Sequence, residues 1–439
     1  MKSVALHNLG CKVNSYELDV MQQTLVEKGY SIVPFDGPAD IYIVNTCTVT
    51  NIADRKSRQM LHRARKLNPQ AVVVAVGCYV QTGQDTIEKD DAVDLAIGNN
   101  RKKDLVEILE NYLAGRAEAE ESVCDIIDIN HTDEYEEMTL KRTAEHTRAY
   151  IKIQDGCNQF CSYCVIPYAR GRVRSRKQDN IIREVEGIAG EGYQEIVLTG
   201  IHISSYGMDR GGCELLQLLE KLHEIEGIRR IRLGSLEPRI VTEEFARKIS
   251  AMPKVCPHFH LSLQSGSDTV LRRMNRKYDR EAYFQATEYL RRFYENPAIT
   301  TDVIVGFPGE TLEEFQETEE FLCRIKFFEM HIFKYSKRRG TRAAEMEGQL
   351  TEAEKSRRSA VLMELERQMS HAYRSGFIGR EVEGLFEEKQ VKAGRIYWIG
   401  HTSQYIRVAR AVQDGEDLHN MLVRGKISGF LEEDVMLLG

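Results

Sequence analysis

The sequence predicts an α/β protein in three parts: a doubly wound parallel sheet, then a partial (βα)6 barrel, then a small all-β barrel. Three observations carry this prediction. Short apolar runs alternate with segments of helical period up to about residue 115. The alternation resumes at residue 148 and repeats six times, and beyond residue 376 it gives way to short alternating runs punctuated by Gly379, Gly394, Gly415 and Gly429. A length of 439 residues leaves room for about three domains of ~150 residues.

The first part, residues 1–115, offers strands at 3–6, 40–44 and 71–76 and helices at 15–28 and 54–66. Residues 116–145 are weakly periodic, and 118–145 hold ten acidic against two basic residues, a net charge of −8 in a chain whose total is −7. That composition reads as an acidic linker and leaves the remainder of the chain near neutral. Residues 146–375 supply six strand candidates, at 148–153, 195–198, 230–233, 258–263, 299–305 and 327–333. Helices at 178–190, 213–224, 242–252, 280–294 and 311–324 separate them, and a long one follows at 351–375. In such a barrel the chemistry belongs at the C-terminal ends of the strands. The last part, 376–439, carries alternating runs at 382–386, 395–400, 405–409 and 422–427, the signal of a small barrel.

Cysteines concentrate the chemistry. Cys157, Cys161 and Cys164 share one short loop after an apolar strand, and Gly156 frees the turn. Three thiolates at that spacing can hold three irons of a [4Fe–4S] cube and leave the fourth open. A structural zinc site would need a fourth nearby Cys or His, and none follows at that spacing. Cys11, Cys47 and Cys78 each follow one of the three N-terminal strands. Singly, each reads equally as a small buried hydrophobe. Together they sit at strand ends, where open parallel sheets keep their ligand sites, and form a second three-thiolate set. The N-terminal apolar run is too short for a signal peptide, and no stretch of ~18 apolar residues could span a bilayer. A cytoplasmic chain is expected, with no membrane partner, whose ten cysteines serve as ligands rather than disulfides. Cys124, Cys213, Cys256 and Cys323 fit no motif and read as structural.

The Cys157–Cys164 loop resembles that of the radical S-adenosylmethionine (SAM) enzymes. With Leu9-Gly-Cys-Lys-Val-Asn14, Asn45-Thr-Cys-Thr-Val-Thr50 and Val76-Gly-Cys-Tyr79, nearly the whole chain resembles their methylthiotransferase family. It looks most like the branch that acts on N6-threonylcarbamoyladenosine next to the anticodon of tRNA, at position 37. Thr199-Gly-Ile-His-Ile-Ser-Ser-Tyr-Gly207 and Lys12-Val13 carry that likeness, since relatives acting on isopentenyladenosine usually show Gln-Met at the latter place. A third branch modifies a ribosomal-protein aspartate. The resemblance implies two [4Fe–4S] clusters. The cluster on Cys157, Cys161 and Cys164 would chelate SAM and cleave it to a 5′-deoxyadenosyl radical. The one on Cys11, Cys47 and Cys78 would hold the sulfur that is methylated and delivered to C2 of the base. The aromatic C–H has no useful acidity for acid–base groups to exploit, so the cofactor supplies the reactivity and the protein the positioning. A low-potential electron donor and a sulfur source are implied as partners. Residues 376–439 resemble a TRAM domain, an OB-like RNA-binding module.

Around the expected SAM face, Gly200, Ser235, Glu237, Ser262, Gln264, Gly306 and Pro308 are candidate contacts. Glycines let a cofactor approach the backbone, and the turn 306–310 opens a helix, a plausible anion or ribose contact. His202, at the end of the second barrel strand, is the candidate to touch SAM or the threonylcarbamoyl group, against the alternative of a packed rim histidine. From the basic runs 170–177 and 334–342, Arg170, Arg172, Arg174, Arg176, Lys177, Lys337, Arg338 and Arg339 are expected to grip tRNA phosphates, against the alternative of a solvated face. The last part has eight basic against ten acidic residues. RNA contact there would need a local face, with Lys392, Arg395, Arg407 and Arg410 beside Tyr397, Trp398 and Tyr405, aromatics that serve equally as barrel core. Two other classes stay open. A non-enzymatic Fe–S RNA-binding or redox protein would not need a six-unit barrel, and a cobalamin-dependent radical SAM methylase would carry a cobalamin-type His loop, which is not seen.

Overall fold

A computed structural model describes residues 2–115, 123–142, 147–392, 394–413 and 415–439. Its first sheet has six strands: β1 (Ser3–Asn8), β2 (Ser31–Ile32), β3 (Ile41–Thr46), β4 (Val72–Gly77), β5 (Leu95–Ile97) and β6 (Val123–Asp125). All pair in parallel, in the order β2-β1-β3-β4-β5-β6. β3 and β4 are buried along their whole length, as their continuous apolar sequences require of strands covered on both faces. Strand order reverses at β1, which opens a crevice at the strands' C-terminal ends beside it.

β6 falls inside the segment read as an acidic linker, and that reading changes here. The strand completes the sheet, Met138 and Leu140 enter the main core, and Glu136 is buried, accepting from the Lys103 N–H at 2.9 Å. Glu137 accepts from Arg176 Nε at 2.6 Å. Asp125 and Glu137 pair with Arg101 and Arg176, bases supplied from elsewhere in the chain, which composition alone does not reveal. Residues 116–122 and 143–145 of that segment, and 146 after it, lie outside the described residues.

The second part follows with β7 (Arg148–Asp155), β8 (Arg174–Ser175), β9 (Glu195–Gly200), β10 (Arg230–Leu233), β11 (His258–His260), β12 (Ala298–Val305) and β13 (Glu329–Lys334). Apart from β8, which pairs antiparallel with the end of β7, these are parallel neighbours in chain order. The bridges Ile231–Val255 and Leu236–Leu261 join the two halves. This is the six-stranded partial barrel the alternation predicts. Its helices start where the caps dictate: Thr242, Asp279, Thr311 and Thr351 each accept from a first-turn N–H. Ala149, Ile151 and Ile153 of β7 pack in the core. The alternate residue Lys152 turns the other way, toward helix Lys12–Glu27 of the first part, where Glu17 meets its ammonium at 2.7 Å.

The last part is a closed five-stranded barrel, β14 (Glu381–Lys392), β15 (Arg395–Thr402), β16 (Arg407–Ala411), β17 (Leu422–Glu432) and β18 (Val435–Leu438), in the order β14-β15-β16-β18-β17. It docks on the larger barrel through polar contacts. Arg230 donates to the His401 carbonyl at 3.0 Å and Arg232 to that of Ser403 at 3.0 Å. Tyr405 stacks on His258 and lies under the guanidinium groups of Arg148 and Arg232. Tyr397 and Trp398 are buried in the small barrel's core. Lys392, Arg407 and Arg410 are paired with Glu432, Asp434 and Glu416, and Arg395 is exposed and forms no ion pair among the described residues. Among the described residues, no helix is long and apolar enough to cross a membrane.

Candidate active site

The loop after β7 gathers Cys157, Cys161 and Cys164. The Cys157 N–H donates to the Gly171 carbonyl and the Cys164 N–H to that of Cys161, both at 3.0 Å. Gly156 has φ +71°, and a Cβ there would lie 1.7 Å from the Arg172 carbonyl oxygen, so no other residue fits the turn. Burial pushes the Cys157 thiol up to about 11 and the Cys164 thiol up to about 12, and neighbouring sulfurs push them further. Cys157 and Cys164 are thus held as neutral thiols until a metal replaces their protons. Arg276, which the sequence reading passed over, donates to Cys161 Sγ at 3.2 Å.

The second set forms at the crevice of the first sheet. Cys11 is the N-cap of helix Lys12–Glu27, Cys47 follows β3, and Cys78 opens the short helix Cys78–Thr82. Gly10, at φ +114°, passes so close that a Cβ would meet Cys47 Sγ at 3.1 Å. Burial pushes the Cys47 thiol up to about 11, with Cys78 and Cys11 adding to it. Cys78 Sγ accepts from Arg170 Nε at 3.1 Å and from Asn99 Nδ2 at 3.6 Å. In each set a hydrogen-bond donor is already aimed at one of the three sulfurs. Those donor sets suit iron–sulfur clusters.

The basic runs do other work than expected. Arg170 is fully buried. Besides Cys78 it bonds Asn14 Oδ1 at 2.6 Å, Glu17 Oε2 at 3.0 Å and Asp155 Oδ2 at 3.2 Å, inside a network that also holds Lys102 and Lys152. Arg174 is buried near Asp155, and Arg176 is buried against Glu137 and Glu184. Arg338 is 7% exposed and reaches Asn51 Oδ1, Asp54 Oδ2 and Thr48 Oγ1 at 2.6 to 2.7 Å. These four arginines are corrected from RNA contacts to internal ties, because a buried charge held by carboxylates has no surface to offer a phosphate. Arg172, Lys177, Lys337 and Arg339 stay exposed and form no ion pair among the described residues. Arg172 lies over the Phe160 ring, which packs against exposed Tyr168.

Beside the cluster loop lies a cavity of about 310 Å³. Val49 and Thr50 line it from the Cys47 side, Cys164 and Tyr163 from the cluster loop, and Gln264 and Asp302 from the barrel. Gln264 holds a left-handed conformation at φ +72°. Glu237 is buried and accepts from Gln159 of the cluster loop at 3.5 Å. His202 Nε2 lies 3.5 Å from Glu237, its Nδ1 bonds Ser205 Oγ at 2.6 Å, and burial lowers its pKa to about 4, leaving a neutral ring at that rim. Gly200 packs on Gln154, Ser235 is exposed, and Ser262 is half-buried, its carbonyl taken by Tyr278. The turn at Gly306 is a correction. Its N–H is taken by Glu310 Oε2 at 2.7 Å, Lys355 covers it, and Pro308 is buried, so neither residue is open to a ligand. The sequence also passed over His260, Asp302 and His331. Their signal was polar residues at alternate positions of otherwise apolar barrel strands.

Comparison with known proteins agrees with this arrangement. A family profile described as Radical SAM superfamily matches residues 151–322, and one described as Uncharacterized protein family UPF0004 matches residues 3–98. The chain is 40% identical over 97% of its length to the threonylcarbamoyladenosine tRNA methylthiotransferase MtaB of Bacillus subtilis, covering 94% of that protein. It is 42% identical over 88% of its length to that of Aquifex aeolicus, covering 93%. A tRNA-2-methylthio-N(6)-dimethylallyladenosine synthase of Moorella thermoacetica is 37% identical over 88% of the chain and 87% of its own length. Among solved structures, the radical SAM methyltransferase TsrM of Kitasatospora setae superposes with a TM-score of 0.57 at 17% identity, over 76% of this chain and 73% of that one, a likeness of fold.

Proposed function

We propose that this chain, which belongs to the methylthiotransferase family of radical SAM enzymes, attaches a methylthio group to C2 of N6-threonylcarbamoyladenosine at position 37 of tRNA. One observation carries the reading: a single cavity is lined by Cys164 and Tyr163 of one cysteine loop and by Val49 and Thr50, which follow Cys47 of the other set. The cavity volume lies at the lower end of the range for small-ligand sites, the scale of a single flipped-out nucleoside. Cys157, Cys161 and Cys164 would hold the [4Fe–4S] cluster that binds SAM, and Cys11, Cys47 and Cys78 the second. When bound, these groups supply the one-electron chemistry that no side chain here can.

The chain's own residues position the partners. Cys164 and Tyr163 line the cavity together with Val49 and Thr50, so a base held there would lie next to the first cluster and near the segment that follows Cys47. Neutral His202 and Glu237 stand at the rim nearest the cluster loop, in reach of a SAM polar group rather than placed to move protons. Arg172, Lys177, Lys337 and Arg339 supply phosphate contacts for the anticodon stem-loop, with Tyr168 as a stacking face. A low-potential reductant and a sulfur donor complete the requirements.

The test is product analysis. Anaerobically reconstituted protein with dithionite, SAM and an anticodon stem-loop carrying threonylcarbamoyladenosine should yield the 2-methylthio nucleoside by mass spectrometry, together with 5′-deoxyadenosine. Methylthiolation of a dimethylallyladenosine stem-loop alone would move the chain to the other branch.

A further inference from the structure

Three side chains on neighbouring barrel strands are used by nothing described so far. His260 on β11, Asp302 on β12 and His331 on β13 each place one ligating atom within 4.8 Å of the others. Register explains the meeting: Asp302 lies opposite His331, and His260 opposite Thr300, which shares a face with Asp302. The imidazole rings of His260 and His331 stack across β12, their centroids 5.9 Å apart, so both flank the carboxylate between them.

The ligating atoms are not engaged elsewhere. His260 Nε2 is buried and makes no hydrogen bond among the described residues, although it lies 3.3 Å from Asp302 Oδ2. Two atoms that share an ion at about 2.0–2.2 Å each, at a tetrahedral angle, stand about 3.3–3.6 Å apart, so this separation suits joint ligation. Among the described residues the Asp302 carboxylate accepts no hydrogen bond, and the His331 ring makes none. The other nitrogen of His260, Nδ1, bonds Thr300 Oγ1 at 3.0 Å. A ring tied by Nδ1 is fixed in orientation and, with its hydrogen donated there, presents the Nε2 lone pair, as metal-bound histidines do. His331 is exposed, which gives an ion its way in from solvent.

We propose that His260, Asp302 and His331 bind one divalent transition-metal ion, at a centre built without cysteine and additional to the two cysteine sets. Imidazole selects zinc, iron, nickel and copper over magnesium and calcium, and a carboxylate beside two imidazoles is the donor set of zinc and ferrous sites. Three protein ligands leave further positions to water, the arrangement of a site that exchanges ligands rather than a closed structural one. Asp302 also lines the 310 Å³ cavity, so an ion on its carboxylate stands at that wall. Nothing in this set depends on which nucleoside the enzyme modifies.

The experiment uses full-length protein whose clusters have been anaerobically reconstituted, so that the cysteines of both sets are occupied. It is dialysed against buffered zinc, and zinc and iron are counted by mass spectrometry. Wild type should keep one zinc beside about eight irons. X-ray absorption at the zinc edge should show nitrogen and oxygen ligands at about 2.0–2.2 Å and no sulfur at about 2.3 Å. His331→Phe, at an exposed position that costs the fold little, and Asp302→Asn should each weaken zinc retention about 10-fold or more. Thr300→Val should weaken it about 10-fold by loosening the His260 ring, and iron should stay unchanged in all three. Wild type that keeps no zinc overturns the site, as does zinc held through sulfur. Zinc that either His331→Phe or Asp302→Asn leaves undiminished also overturns it. So does a fall in iron that accompanies the loss of zinc, which would assign the ion to the cysteine sets.

Discussion

Cys157, Cys161 and Cys164 lie on one loop of one domain, whereas Cys11, Cys47 and Cys78 arrive from three strand ends and are braced from another domain. Arg170 reaches across from the barrel to Cys78 and Asn14, and Arg338 to Thr48, Asn51 and Asp54 around Cys47. A loop-borne site needs little beyond its own turn geometry. The dispersed site depends on the docking of two domains, and the arginines that maintain the docking are buried charges whose partners are all internal.

That contrast can be broken at four points. Replacing Cys157, Cys161 and Cys164 by Ala should abolish SAM cleavage and lower reconstituted iron from about eight to about four per chain. Iron near four in the unsubstituted protein would remove the second site altogether. Arg170→Ala removes one cation from the buried network and leaves Glu17 and Asp155 to Lys102 and Lys152, and should cost about 3–5 kcal/mol in chemical denaturation, with iron lost from the N-terminal set first. Arg170→Lys should recover part of the stability without the two-sided fork. A wild-type midpoint for Arg170→Ala would mean the domains do not need this tie. Arg338→Ala, whose carboxylate partner Asp54 is partly solvated, should cost less, about 1–3 kcal/mol, and leave the Cys157–Cys164 site intact by iron and SAM-cleavage assays. Changing exposed Arg172, Lys177, Lys337 and Arg339 to Ala should barely alter stability, yet flatten the salt dependence of tRNA binding by about three. An unaltered slope would send the RNA path elsewhere.

How far the sequence could lead depended on whether a signal was local. That Cys11, Cys47 and Cys78 would lie at the same end of one parallel sheet was legible, because each follows a strand and parallel strands share an end. The six barrel strands were legible for the same reason of period. The arginines were not. Arg170, Arg174 and Arg176 turn inward while Arg172 and Lys177 turn out, and a dense basic run looks the same either way. Of their acidic partners Glu17 and Glu137 lie far off in sequence, and the nearer ones, Asp155 and Glu184, sit on a strand and a helix whose orientation toward the run is set only by the fold. Glu137 was instead counted toward a linker. Gly306 and Pro308 failed similarly, since the carboxylate that occupies the turn, Glu310, could be read as part of a ligand site until Arg358 was seen holding it at 2.6 Å.

The carbonyls of His401 and Ser403 and the ring of Tyr405 cover Arg230, Arg232 and Arg148 at the foot of the larger barrel. Cutting the chain at residue 376 would therefore uncover guanidinium groups that the fold keeps dry, together with Glu195, which shares Arg232 at 2.9 Å. The small barrel is thus not a detachable RNA-binding appendage but part of the cooperative unit that melts. A truncated chain would report on misfolding before it reported on RNA, and the contribution of this domain to tRNA affinity has to be sought by substitutions such as Arg395→Ala on its outer face.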